Sequence, residues 1–304
     1  MERVRLYWSN ICVLNKSEVI FLDMIKRELS KDGVDLDIKY FGLGYHCHMA
    51  EYLFDKDSDL PDMILSTDLE VFEDRRIFSR FEDSLYDASS WLQLKNTQPV
   101  KAISRDPRLL PYLAIPLMFF SKEKQIMSLY DAASSDIAFG GIDNSAAKSV
   151  VKTIWSLYGK EKAEELLRNA SVLPMPIAAF QRTRLGQSHI GIIPSIFALS
   201  DDSFCSYIPE EGAIAVPSYI AVRKTISEEA AMKVVMALNS IDILSMYVEK
   251  GKMITAYKKS PEANWFERVN GSLALPSAEF LSRLDPEEFY SLYSKYIPCA
   301  KVLK

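Results

Sequence analysis

Residues 212–224 read Gly212-Ala213-Ile214-Ala215-Val216-Pro217-Ser218-Tyr219-Ile220-Ala221-Val222-Arg223-Lys224, a long apolar run closed by two cations. Its length and apolar character predict one buried strand. A second run of the same character lies upstream at 112–122, where Ile115-Pro116-Leu117-Met118-Phe119-Phe120 passes into polar Ser121-Lys122-Glu123-Lys124. Two such strands predict a chain that leaves one lobe, builds a second and returns.

Ahead of the first crossing, residues 4–8 read as a strand, and 17–31 place Val19, Ile20, Leu22, Met24, Ile25 and Leu29 at helical spacing before Asp32-Gly33. Residues 34–41 alternate as a second strand, 49–54 as a short helix, and Met63-Ile64-Leu65-Ser66 as a buried third strand. Parallel neighbours need a crossover, and a helix is the usual one. The same alternation recurs further on. A strand and turn at 137–141 is followed by helices at 144–158 and 160–169 and by a strand at 189–193. After 224 the chain turns mostly helical, with 227–250 read as one amphipathic helix capped by Ser227. The fold class is therefore α/β: two lobes, each a mixed, mainly parallel sheet flanked by helices, joined by two crossing strands.

Bulk properties narrow the function. The 304 residues suit two domains. With 48% hydrophobic and 25% charged residues the chain can bury a full core. A formal charge of −5 supplies no general basic field for nucleic acid or an anionic bilayer. The four cysteines, at 12, 47, 205 and 299, form no CxxC pair and suggest neither a zinc knuckle nor a disulfide framework. No G-x-S-x-G, H-E-x-x-H, Walker lysine loop or post-strand G-x-G-x-x-G occurs, so the chain is expected not to be an enzyme and no catalytic residue is assigned.

Four segments, residues 62–70 (DMILSTDLE), 137–145 (IAFGGIDNS), 190–195 (IGIIPS) and 212–224, resemble in order and spacing the type II periplasmic solute-binding proteins of ABC transporters, in the group of iron, thiamine, polyamine and molybdate-like receptors. The resemblance implies lobe one at 1–116 plus 223–304, lobe two at 117–222, and a hinge in the crossing strands. It implies a monomer that captures a small molecule or ion in an interlobe cleft for an ABC importer permease. A ligand-sensing homologue without a transport role is the alternative, and an enzyme of unknown reaction the second. Ferric receptors of this kind use adjacent tyrosines in lobe two; here the comparable stretch is Ile193-Pro194-Ser195-Ile196-Phe197. No apolar leader precedes the first strand, so an extracytoplasmic location is expected if a signal peptide has been removed, and a cytoplasmic one if Met1 is the true start.

In open α/β sheets ligands bind beyond the carboxyl ends of the strands, where loops and helix N-termini present N–H groups. That rule selects Trp8, Ser9 and Asn10 after the first strand, Ser66 and Thr67 after the third, Asn144 and Ser145 at a helix start, Ser195, and Tyr219 in the returning strand. The same hydroxyls and amides are equally what turns and caps require. His46, Cys47 and His48 gather imidazole and thiol directly after the second strand, a chemistry suited to zinc, copper, nickel or iron. Consecutive side chains point different ways, so a metal there needs an irregular backbone. No cofactor is expected apart from a metal or metal complex bound as ligand.

Overall fold

The computed structural model describes residues 1–269, 271–301 and 303. Eleven strands run along these residues: β1 Glu2–Ser9, β2 Val34–Phe41, β3 Met63–Ser66, β4 Leu109–Ser121, β5 Ile137–Gly140, β6 Ser171–Leu173, β7 Ile190–Pro194, β8 Cys205–Tyr207, β9 Ala213–Val222, β10 Ile254–Thr255 and β11 Leu273–Ala274. The chain divides into two compact units, Met1–Ala114 with Pro217–Glu262, and Ile115–Val216 with Ala263–Lys304. β4 and β9 each pass from one unit into the other, as the two long apolar runs foretell.

In the first unit β1 is central, paired in parallel with β2 and β3, and β9 closes the order β2-β1-β3-β9 antiparallel to β3. The register sets Met63 against Val222 and Ser66 against Tyr219. Residues 217–222, expected in the second lobe, therefore belong to the first sheet. β10 pairs antiparallel with the start of β4. The helix Asn15–Lys31 supplies the β1–β2 crossover and buries Glu18, Leu22, Ile25 and Leu29, one face at i, i+4, i+7 and i+11. Ile20 and Met24, expected on that face, are 63% and 47% exposed. The apolar stripe is thus narrower than the composition suggests.

In the second unit β5 lies between β6 and β7, parallel to both, while β7 and β8 run antiparallel to β4. The helices Ser145–Tyr158 and Lys160–Asn169 meet at Gly159, whose φ of 91° suits glycine. Phe120, Phe180, Phe204 and Phe197 stack or tilt against one another in its core. Residues 263–304, expected in the first lobe, pack here instead: β11 extends β9 in parallel, and Tyr293 donates its hydroxyl to the Ile142 carbonyl.

The stretch read as one helix at 227–250 is two, Glu228–Leu238 and Ile241–Glu249, bent by 41°. The amide of Asn239 donates to the Val235 carbonyl at 2.8 Å, and Ser240 adopts extended φ/ψ that opens the next helix. Ser227 caps the first of the pair, accepting from the Ala230 N–H. No single described helix is long and apolar enough to cross a membrane.

Candidate functional site

In the first unit the parallel pairing of β1, β2 and β3 brings three loops to one edge of the sheet. They are tied to one another. The Asn10 backbone N–H donates to Phe41 O at 3.0 Å and its side-chain amide to Leu43 O at 3.1 Å. Gly42 has φ 106°, and a Cβ there would lie 2.2 Å from Asn10 Oδ1, so only glycine lets the β2 loop cross Asn10. Further round the loop, Tyr45 stacks on Tyr40 and donates to Asn15 Oδ1.

The turn after β3 is equally organised. Ser66 is fully buried, and its hydroxyl accepts from the Asp68 N–H at 2.9 Å. Asp68 in turn accepts from the Ala50 N–H at the start of the helix Met49–Phe54. Thr67 is the partly exposed member of this turn. Ser9 and Asn10 are buried at the end of β1 with their backbone at the sheet edge, and Asn10 Oδ1 has no hydrogen-bond partner among the described residues. Ser218 Oγ, on β9, is another buried polar atom without one among the described residues. Buried polar atoms of this kind call for an explanation, and a ligand or water is the usual one.

Two aromatic candidates stand elsewhere. Trp8 is a core side chain, its neighbours across the sheet being Tyr40 and Leu65. Tyr219 is buried edge-on against Phe72, and burial drives its phenol well above the ordinary range. Neither presents a face for stacking a ligand.

His46, Cys47 and His48 do lie at this edge, in the loop that follows β2. Among the described residues no three His, Cys, Asp or Glu side chains are grouped so that they could hold a metal ion. The backbone explains it. Cys47 gives its carbonyl to the Gly42 N–H, and His48 is extended at φ −74°, ψ 153° as it opens the next helix, so neighbouring side chains diverge.

In the second unit the ends of β5, β6 and β7 form the corresponding edge. Gly140 passes so close to the backbone at Met175 that a Cβ would lie 2.3 Å from its carbonyl oxygen. Asn144 caps the helix Ser145–Tyr158 through the Ala146 N–H at 2.9 Å, with Ser145 buried as its first residue. Asp143 accepts from the Lys301 N–H, which turns its charge toward the C-terminal segment. Ser195 is buried as the first residue of the turn of helix Ser195–Ala198. The nine assigned residues thus divide, six in the first unit and three in the second.

One residue at the first edge escaped the sequence reading. Glu18 is 1% exposed, and its carboxylate accepts from the Ile11 N–H at 3.0 Å and from the Tyr247 hydroxyl at 2.8 Å. Burial pushes it up to about 7, against the pull of those two donors and of the Trp8 indole. Its signal was present: Glu18 falls in phase with the apolar stripe of its helix, where an acid has no reason to be unless it is used.

No family model matches the chain, and no curated protein matches it. Solved structures do. A ferric binding protein from Campylobacter jejuni superposes with a TM-score of 0.68 at 12% identity, over 96% of this chain and 99% of that one. The substrate binding protein of an ABC transporter from Agrobacterium tumefaciens gives 0.61 at 10%, over 98% and 95%. A two-component system protein described as mediating signal transduction gives 0.65 at 14%, over 96% and 100%. At such identities the likeness speaks for the fold alone, and on it the chain has the α/β fold of periplasmic ligand-binding proteins.

Proposed function

We propose that the chain is a receptor for a small, oxygen-rich ligand, a tetrahedral oxyanion or a small polar organic molecule, which it binds without transforming. The observation that carries this reading is the chemistry at the strand ends. The assigned polar side chains there, Ser9, Asn10, Ser66, Thr67, Asn144, Ser145 and Ser195, are all hydroxyls and amides; Asn10 Oδ1, an acceptor, is buried without a partner among the described residues and favours a ligand that also carries a hydrogen-bond donor, such as a hydroxyl. Neutral donors and helix N-termini bind anions and polar groups without a formal cation. The likeness to ligand-binding proteins of the same fold supports binding over catalysis.

Native mass spectrometry and elemental analysis of protein purified without chelator test it. The expected result is a small bound mass, or, for emptied protein, stabilisation by one of phosphate, sulfate, molybdate or a panel of small polar organics. A stoichiometric metal removed by chelator would overturn the reading. Delivery to an ABC permease is the role we propose for the bound ligand, supported by the Agrobacterium likeness. Sensing is the second reading, favoured by the likeness to a two-component protein. Loss of labelled-ligand uptake on deletion supports delivery; unchanged uptake with an altered transcriptional response supports sensing.

A further inference from the structure

Glu18 sits where a buried charge has consequences for the loop that follows β1. The groups facing it are the Trp8 indole of β1, Cys12 of the loop, Tyr40 of β2, Tyr112 of β4 and Tyr247 of the helix Ile241–Glu249; none of them is a cation. A carboxylate taken out of water without a counter-charge is held in place by hydrogen bonds alone, and ionised it can only accept them. It accepts two, from Ile11 N–H and Tyr247 Oη–H, which join the β1 loop to a helix more than two hundred residues later.

Protonation weakens this arrangement in one of two ways. A proton on Oε2 meets the Ile11 N–H, donor against donor, and that bond is lost. A proton on Oε1 meets the Tyr247 hydroxyl, which then turns from donor to acceptor. The turned hydroxyl directs its hydrogen toward Tyr112, whose ring meets that of Tyr247 edge to face at 5.8 Å and whose own hydroxyl is held as donor to Leu238 O at 2.9 Å. In both cases the hold on Ile11 loses its charge assistance.

We infer that Glu18 is a positioning residue for the loop 10–14: ionised, it clamps the Ile11 N–H beside Ser9 and Asn10 through a charge-assisted hydrogen bond, and protonated, it holds that N–H more weakly. Burial places the change of state within the physiological pH range. The consequence for ligand capture rests on the receptor reading above, since Ser9 and Asn10 are ligand contacts only under it; the clamp itself does not.

The test needs no ligand, so its failure is distinct from failure of the receptor reading. In the uniformly ¹⁵N-labelled full chain, the Ile11 amide shift is followed from about pH 5.5 to about pH 8.5, the window set by the histidine-like midpoint. A sigmoid centred near 7 is expected, with exchange protection at Ile11 at least about fivefold greater above the midpoint once intrinsic rates are divided out. Glu18→Gln should abolish the sigmoid. Tyr247→Phe, which removes one donor to the carboxylate and keeps the ring, should move the midpoint upward, and it serves alone if the first variant does not fold. A flat Ile11 response, a midpoint below about pH 5, or a midpoint unmoved by Tyr247→Phe would each overturn the inference.

Discussion

Replacing Glu18 by glutamine tests the cost of that buried charge to the whole fold. The folded carboxyl titrates at about 7, above its ordinary value of 4.5, so between these limits the native state holds a proton that the unfolded state has released. Stability therefore falls as pH rises through the window: the contribution is fully present below the ordinary value and lost above the raised one. Each pH unit of separation is worth about 1.4 kcal/mol, which makes the ionised charge cost the fold about 3 kcal/mol by pH 8. Glutamine keeps the shape of the protonated form, its oxygen able to accept from Ile11 N–H and its amide to donate to Tyr247. Urea denaturation of parent and Glu18→Gln at about pH 5 and about pH 8, followed by far-UV circular dichroism, should show the variant's advantage growing by roughly 2–3 kcal/mol across the interval. A gap that stays constant would refute the reasoning. A variant that loses ground as pH rises would show that the carboxylate is a stabilising anion, with its pKa depressed.

Other outcomes follow from single contacts. Gly42→Ala places a methyl group 2.2 Å from Asn10 Oδ1 at a left-handed φ; a destabilisation of about 1–3 kcal/mol is expected in the same denaturation assay. Asn144→Ala leaves the Ala146 N–H without its cap and should cost about 1 kcal/mol, with thermal unfolding as the check. The double variant His46→Ala, His48→Ala should match the parent in zinc and ferric ion content by elemental analysis, because the loop directs its side chains apart; a stoichiometric metal lost in the double variant would contradict that geometry. Thr67→Ala with Asn10→Ala should weaken ligand binding about tenfold or more in calorimetry while leaving Glu18 titration intact.

Seven of the eleven described strands were legible because each carries its own pattern, whereas β6, β8, β10 and β11, two or three residues long, carry none. β2 alternates, β3 and β5 are short continuous apolar runs, and the two crossing strands are the longest apolar stretches of the chain. Where the reading failed over domain bounds, the deciding contact is distant in sequence. Nothing local says that residues 263–304 pack with the second unit, because that follows from β11 meeting β9 some sixty residues away. The break at Asn239-Ser240 was hidden inside a sound amphipathic pattern and shows only in what the asparagine amide bonds to. Among the site residues, Ser66 and Asn144 serve as the turn and cap groups that their side chains equally allow, while Trp8 and Tyr219 are core, which depends on packing that no local pattern records. Glu18 is absent from the sequence reading, which follows the apolar residues of its helix, although its phase places it with Leu22, Ile25 and Leu29.

The interleaving of the two units bears on how the protein is made. Each is assembled from two separate stretches, and each second stretch follows a long passage of the other. A chain emerging from the ribosome presents β1, β2 and β3 early, yet β9, the strand that closes their sheet, arrives only after most of the second unit has been synthesised. The second unit waits longer still, for β11 and the helix Pro286–Tyr296 at the far end of the chain. The first unit cannot complete its sheet until β9 has emerged, so a nascent chain exposes the open edge of β3 through much of translation. Ribosome stalling between about residues 120 and 210 should therefore yield a chaperone-dependent, aggregation-prone intermediate, whereas synthesis through the last stretch supplies the missing parts of both cores, the first unit's before the second's.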